Sequence, residues 1–315
     1  MGMAYVAAVL QSVIIGFSFL FIKLGLREGE VWDLLAWRFA AAFAVALAVA
    51  AVIGRRVRMS RRDLLAVLPV AVFYPVLFFA LQTLGMRHMG SAEAGIIQAV
   101  VPVMTLILAS LMLGERARAA QKICMAAAVA GVVFISVMNG VRGGEDTLAG
   151  TGLIVAAMAS LAFYNVLARD IVRRYPVFDV TLVMTGVAFA VFGAAALAGH
   201  AAEGDVWRMA APLSRRDFLF AVLYLGIPSS LCSALLSNYA LTRLEAYRMS
   251  VFNNLATVVA MLAGTVFLEE RLHWYHVAGA AVIIAGVVGT AGFGARRAGG
   301  PSIEPEPRAT PKPRR

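Results

Sequence analysis

The chain has 315 residues, of which 61% are hydrophobic and only 15% are charged, and its formal net charge is +10. Soluble domains are about 45–50% apolar and about 25% charged, so this composition excludes an ordinary water-soluble globule. The Lys and Arg residues lie in short breaks between apolar runs instead of forming one basic patch, which excludes a nucleic-acid-binding surface. We therefore expect an integral membrane protein that is surrounded by the lipid bilayer.

Ten apolar runs are long enough to cross a membrane, because a transmembrane helix needs about 20 mostly apolar residues. In chain order they are residues 3–25, 32–53, 64–84, 92–113, 122–138, 148–168, 180–197, 218–241, 249–268 and 274–293. The sequence thus predicts an all-α integral membrane fold with ten transmembrane helices. No basic segment or cleavage signal accompanies the first run, so we expect it to be retained as a helix.

The distribution of positive charge predicts the orientation. If the N-terminus is cytoplasmic, the loops and tail on that side carry 19 of the 28 Lys and Arg residues, the other side carries 8, and Arg38 lies inside the second run. Cytoplasmic loops carry the excess of Lys and Arg, so both termini are predicted to be cytoplasmic. The Pro-rich basic tail, residues 295–315, is expected to be disordered.

The chain repeats itself. The string "LGER" that ends at Arg116 recurs as "LEER" ending at Arg271, 271 − 116 = 155 residues later, and a shift of 146 aligns "GFSFLFIKLGL" with "AFYNVLARDIV". The sequence predicts two five-helix repeats, residues 1–140 and 148–294, joined by a polar linker, residues 141–147. Since five is odd, the second repeat must have inverted topology, an arrangement typical of secondary transporters.

Several strings in this order resemble the drug/metabolite transporter superfamily, and specifically its ten-helix EamA-type members. They are "GFSFLFIK" in the first span, "WRFAAA" in the second, "GSAEAGIIQAVVPVMTLILASLMLGER" for the fourth, and "LEERLHWYHVAGAAVIIAGVVG" for the ninth and tenth. The resemblance covers nearly the whole chain except the tail. In one departure, Thr257 stands where the family often has a proline matching Pro102.

The resemblance implies a multi-pass protein of the bacterial inner membrane with a cavity lined by spans one to four and six to nine, and with spans five and ten at the periphery. It also implies a secondary transporter or facilitator that exports a small metabolite such as an amino acid, a nucleobase or an organic cation. Access to a midplane cavity would alternate between the two faces of the membrane.

Polar residues inside the spans are the candidates for substrate binding, because polar groups in a bilayer are costly and face the bundle interior, water or each other. The candidates are Lys23, Arg38, Gln82, Gln98, Tyr164, Asn165, Asn238, Asn253 and Asn254. The amides either offer hydrogen bonds to a substrate or bridge neighbouring helices. Lys23 and Arg38 either attract an anionic group of the substrate or extend to the lipid headgroups.

Other chemistry has weaker support. The four His residues lie at span boundaries and the two Cys residues lie in apolar runs, so we expect no metal site, no cofactor and no catalytic residue. Glu270 ends the ninth span, where we expect it to cap or precede the helix that follows. Small residues in spans five and ten suit close helix contact and allow a homodimer through these spans.

Three other classes of membrane protein remain as alternatives. An integral-membrane enzyme needs a convergent nucleophile, base or metal cluster, and a channel commonly has a filter or a charged ring; the sequence has no such motif. A scaffold or lipid-handling protein would place the polar residues at helix contacts or towards lipid, without a central cavity.

Overall fold

Helices make up the described structure. The computed structural model describes residues 2–54, 59–113, 119–241 and 246–295, and these ranges contain helices and no strand. Hydrocarbon offers no hydrogen-bond partner to the backbone, so an apolar chain folds into helices that satisfy their own backbone groups. The prediction of an all-α fold is confirmed for this part of the chain, and the predicted tail lies outside it from residue 296 onward.

The helices follow one another in an order close to that of the predicted spans. They are α1 (Gly2–Glu28), α2 (Val31–Val52), α3 (Arg61–Ala71), α4 (Phe78–His88), α5 (Ser91–Gln98), α6 (Val101–Leu113), α7 (Ala119–Arg174), α8 (Val177–Ala202), α9 (Arg216–Gly226), α10 (Ser233–Leu241), α11 (Ala246–Leu268) and α12 (Trp274–Ala295). Two π-helical segments, Val72–Leu77 and Ile227–Cys232, connect α3 to α4 and α9 to α10. A 3-10 helix, Val206–Ser214, precedes α9.

Length and composition identify this chain as a multi-pass membrane protein. Among the described residues, eight helical stretches are long and apolar enough to cross a membrane. Two shorter apolar helices, Asn254–Leu268 and Trp274–Thr290, lie within α11 and α12, where the ninth and tenth spans are predicted. The helical segments of the fold therefore fall on the predicted apolar runs.

The bundle has two ends, which we name after one residue at each. At the Glu270 end, the Glu270 carboxylate accepts a hydrogen bond from the backbone of Ser91, just beyond the last turn of α4. At the Tyr175 end, the Tyr175 hydroxyl donates to Asp63 in the first turn of α3 over 2.6 Å, and this bond raises the pKa of the hydroxyl above its usual value. The segment Arg61–His88 therefore extends from the Tyr175 end of the bundle to the Glu270 end.

Helix α7 contains two stretches that run in opposite directions. Gln121 donates to the Thr290 carbonyl near the last turns of α12, and α12 begins at the Glu270 end, so Gln121 lies towards the Tyr175 end. Gly150 lies against the last turn of α4 at the Glu270 end, and the final residue of α7 precedes Tyr175. The chain therefore reverses between the stretches Ala119–Met138 and Glu145–Ala168, although residues 141–147, predicted to be a linker, are helical.

The helix boundaries recur with the two spacings found in the sequence. The π-helical segments Val72–Leu77 and Ile227–Cys232 begin 227 − 72 = 155 residues apart, and the same spacing separates the first residues of α3 and α9 and of α4 and α10. The first residues of α2 and α8 are 177 − 31 = 146 residues apart. The two parts of the chain thus divide into helices at equivalent positions.

The first stretch of α7 packs closely against α12 through small residues. Gly131 lies against Ile283 and the carbonyl of Gly279, and Gly286 lies against the backbone of Cys124 and Ala128. Without side chains at the contact, two helix backbones approach each other closely. The small residues of predicted spans five and ten therefore hold these two helices together within one chain, and a homodimer through the same helices stays a prediction.

We expect Gly286→Val to destabilise the protein, because a Cβ atom at Gly286 would lie 2.6 Å from the Cys124 carbonyl oxygen. Overpacking of this kind costs about 1–3 kcal/mol, and it should lower the thermal unfolding midpoint of the purified protein in detergent. Gly292→Val, on the same helix, is the matched control, because no atom lies within 4 Å of a Cβ built there. Equal midpoints for the two variants would contradict the close packing.

Candidate substrate cavity

A cavity of about 350 Å³ lies inside the bundle, within the range of about 300–1,000 Å³ that is usual for small-molecule sites. Its lining comes from α1, α2, α4, α5, α6, the second stretch of α7, α8, α10, α11 and both π-helical segments. None of the described lining residues belongs to Ala119–Met138 or α12. Predicted spans one to four and six to nine thus surround the cavity, as the family resemblance implies.

Six of the nine candidate residues line this cavity: Arg38, Gln82, Gln98, Tyr164, Asn165 and Asn254. Lys23 does not, because it lies nearer the Glu270 end with Glu93 and His273. The side chains of Asn238 and Asn253 lie outside the described residues. Tertiary structure therefore brings together residues that are spread over five of the predicted spans.

The amide side chains of the lining differ in how far the protein satisfies them. Asn165 donates to the Thr105 hydroxyl over 3.3 Å, a contact between helices. Asn254 is buried, and neither its Nδ2 nor its Oδ1 has a hydrogen-bond partner among the described residues. Leaving a buried donor and acceptor unsatisfied costs about 1–3 kcal/mol each, so Asn254 is available to a bound molecule.

Arg38 lies in the wall of the cavity among neutral groups. Its guanidinium carbon is 4.0 Å from the centre of the Phe79 ring, a cation–π contact. Its Nε donates to the Ser230 hydroxyl and its Nη2 to the hydroxyls of Ser229 and Ser230, all over 3.4 Å. Both serines belong to the π-helical segment Ile227–Cys232, so a widened helix turn brings them to Arg38.

The cavity extends towards the Tyr175 end, and beyond it, at the Glu270 end, side-chain contacts join neighbouring segments of the bundle. Its lining reaches Val177, the first residue of α8. Three side-chain pairs at the Glu270 end join separate segments: Asp33 contacts His200 at 2.8 Å, Glu93 contacts His276 at 2.9 Å, and Glu28 forms an ion pair with Arg215 at 2.8 Å. The bundle is thus held together beyond the cavity at this end.

Glu270 binds the first turn of α5, in the other half of the chain. Its Oε1 accepts the backbone N–H of Ser91 over 2.7 Å, and its Oε2 accepts that of Ala92 over 2.9 Å. A carboxylate here satisfies free N–H groups and suits the positive end of the helix dipole. Glu270 precedes α12, but its carboxylate caps α5 and not that following helix, because tertiary packing brings the start of α5 beside it.

The way in which α11 ends orients the Glu270 side chain towards α5. The Glu270 N–H donates to the Gly264 carbonyl over 3.1 Å, and Glu269 has a φ of 56°. A residue in the left-handed region just past the last helical turn is a common helix ending. It turns the chain sharply, so the next side chain faces back across the bundle.

Comparison with known proteins identifies the family. The sequence profile of the EamA-like transporter family matches residues 2–137 and 148–292. The chain belongs to the EamA-like transporter family. It is therefore a membrane transporter.

Relatives of this EamA-like transporter are similar over most of its length. A Bacillus subtilis (strain 168) protein named "Uncharacterized transporter YcxC" is 44% identical over 287 residues, which cover 91% of this chain and 92% of that protein. An Archaeoglobus fulgidus protein named "Uncharacterized transporter" is 25% identical over 275 residues, covering 86% and 92%. A crystal structure that is 19% identical superposes with a TM-score of 0.58 over 94% of this chain and 99% of that chain. This last similarity concerns the fold alone.

The residue that departs from the family pattern connects the two halves of this EamA-like transporter. The Thr257 hydroxyl donates to the carbonyl of Gly95 over 3.1 Å. A proline at this position has no hydroxyl group to donate. Gly95 permits the contact, because a Cβ atom there would lie 2.4 Å from that of Ala260.

Sequence reasoning missed seven polar residues that line the cavity: Gln11, Ser18, Thr181, Thr185, Ser229, Ser230 and Ser233. Isolated serines are common in transmembrane helices and give little signal. A better signal is proline within an apolar run, because proline removes a helix hydrogen bond and leads to bends or wider turns. Pro75 and Pro228 lie in the two π-helical segments that border the cavity.

We expect Glu270→Gln to lower the unfolding free energy by about 1 kcal/mol, because it removes a charged cap from α5. The measurement is the thermal unfolding midpoint in detergent. Glu269→Gln is the control, since Glu269 is exposed and makes no side-chain contact among the described residues; surface changes usually stay within about 0.5 kcal/mol. The cap has no role in stability if both variants unfold at the wild-type midpoint.

Proposed function

We propose that this chain is a secondary transporter or facilitator that carries a small organic molecule across the bacterial inner membrane. The observation that carries the proposal is the cavity of about 350 Å³ whose polar lining comes from both halves of an otherwise apolar bundle. Polar groups at this depth are costly unless they serve one another or a ligand. A cavity of this kind favours transport over the scaffold alternative, in which the polar groups lie at helix contacts or face lipid.

The proposed architecture has ten spans in two inverted five-helix repeats, residues 1–140 and 148–294. The recurrence of helix boundaries with spacings of 155 and 146 residues supports this arrangement. The change of direction within α7 also supports it, because two predicted spans lie in that helix. Inverted repeats allow a bundle to take two equivalent positions around one central site.

The proposed mechanism is alternating access by movement of one half against the other. The described conformation is closed at the Glu270 end, and the cavity extends towards the other end. Release of Glu270 from α5, together with separation of the three side-chain pairs at this end, opens the Glu270 end. We propose that this end faces outward, that both termini are cytoplasmic, and that the net direction is export.

Transport should be measured with the purified protein in proteoliposomes, using a panel of amino acids, nucleobases and quaternary amines. We expect saturable uptake or counterflow of at least one class of compound above protein-free liposomes. The assay is run with and without a pH gradient and a membrane potential, so that a driven and a facilitated process are distinguished. Absence of flux for the whole panel under every condition would contradict the proposal.

We expect Gln98→Ala to reduce flux by about two- to tenfold, the effect of losing one hydrogen bond to the substrate. Gln121→Ala is the matched control, because Gln121 lies outside the cavity and donates to the Thr290 carbonyl. Flux is divided by the amount of folded protein, so a loss of stability does not affect the comparison. Equal flux per folded molecule in the two variants would assign Gln98 to helix contact instead.

The orientation can be tested by cysteine labelling in a Cys124→Ala, Cys232→Ala background. We expect Trp207→Cys, at an 88% exposed position, to react with a membrane-impermeant maleimide from outside intact cells. Arg62→Cys, near the Tyr175 end, should react only in inverted vesicles. The reverse pattern of labelling would show that the termini face outward.

A further inference from the structure

Arg38 is a buried positive charge in the interior of a membrane protein. It is 1% exposed, and it lies 38 − 31 = 7 residues beyond the start of α2, about two turns into the helix. A charged side chain at such a depth is costly, and it is normally paired, hydrated or used in function. The partners of Arg38 therefore indicate which of these applies.

The described part of the chain supplies no carboxylate partner to Arg38. No described carboxylate lies within ion-pair distance of its guanidinium group, and Asp33, one to two turns away on the same helix, is paired with His200. The bonds to Ser229 and Ser230 are 3.4 Å long, beyond the usual range of about 2.7–3.2 Å. Nη1 is buried and has no hydrogen-bond partner among the described atoms. Arg38 is thus only loosely satisfied by the protein.

The lining of the cavity likewise carries a positive charge without a matching negative charge among the described residues. Arg38 is the only charged residue among the described residues that line it, and the other polar groups of the lining are amides and hydroxyls. A cationic ligand would meet a like charge with no carboxylate to offset it, whereas an anionic group would complete the coordination of Arg38. A guanidinium group binds a planar carboxylate through two parallel hydrogen bonds.

We infer that the transported molecule carries a carboxylate and that Arg38 binds it. This inference rests on the proposed transport function and narrows its substrate class to small carboxylic acids, including zwitterionic amino acids. It excludes organic cations and uncharged nucleobases as the principal substrates. Amides such as Gln98 and Asn254 then meet the rest of the molecule.

The test uses pairs of compounds that differ only in the carboxylate, such as leucine and leucinamide, together with choline as a cation. Thermal stabilisation of the purified full-length protein measures binding, and flux in proteoliposomes measures transport. We expect the wild type to prefer the acid of a pair by about tenfold or more, the effect of a charge-assisted hydrogen bond. Equal or stronger responses to the amide or to choline would overturn the inference.

Variants test whether Arg38 is the origin of that preference. Arg38→Gln should reduce the ratio of acid to amide to about one, whereas Arg38→Lys keeps the charge and should retain a preference for the acid. Arg208→Gln is the control, because Arg208 is an exposed arginine outside the cavity. An unchanged ratio in Arg38→Gln would overturn the assignment.

A second variant, Ser230→Asp, tests the same preference if Arg38→Gln does not fold. Ser230→Asp places a carboxylate beside Arg38, which keeps its own packing on Phe79. The new ion pair competes with the substrate, so the preference for the acid should disappear; retention of the wild-type ratio would contradict the inference. Binding of acids without flux would keep Arg38 as a carboxylate site but overturn the transport function, while flux without a preference for acids would keep transport and overturn the inference.

Discussion

Hydrocarbon offers no hydrogen-bond partner to backbone amide and carbonyl groups, and the rest of this structure depends on that constraint. It requires each membrane-spanning segment to be a helix. It permits an irregular turn only where the backbone groups that lose their helical hydrogen bonds are buried in protein or line a cavity. The π-helical segments Val72–Leu77 and Ile227–Cys232 are two such turns, and residues of both line the cavity. Tyr74 and Ser230 reach the cavity because the helix is widened where they lie.

Charge is distributed unevenly along the bundle, and this unevenness connects structure to function. At the Glu270 end, carboxylates meet arginine, imidazole or backbone N–H groups that come from other helices. In the cavity wall, the described partners of the Arg38 guanidinium group are hydroxyls and aromatic rings. The carboxylates at the closed Glu270 end therefore have partners within the protein. The Arg38 guanidinium group in the cavity wall is left available to a ligand.

The contact between the two halves combines small residues with single hydrogen bonds. Gly95 allows α5 to lie against Ala260 of α11, and Thr257 adds a bond to the Gly95 carbonyl. Such a contact has close packing but few directional bonds. Movement of one half against the other then breaks a small number of identifiable interactions, among them the cap that Glu270 provides for α5.

Some of the candidate site follows from the sequence, and some does not. Gln82, Gln98 and Asn254 are recognisable because an amide in an apolar run is conspicuous, and all three line the cavity. Lys23 and Arg38 are equivalent in the sequence, since each is one basic residue inside a span. In the structure, Lys23 lies close enough to Glu270 and Glu93 to be attracted by both carboxylates, whereas Arg38 faces the cavity without a carboxylate partner among the described residues.

The sequence by itself determined the all-helical membrane fold, the positions of the apolar helices and the membership of a transporter family, because these depend on composition, run length and local motifs. Only the tertiary structure decided which polar residues meet in one cavity, which end of the bundle is closed, and that Glu270 caps α5 instead of its neighbour α12. These features depend on distances between residues far apart in the chain. The partner of a charged side chain depends on which helix packs beside it, and the local sequence around that side chain does not indicate which helix this is.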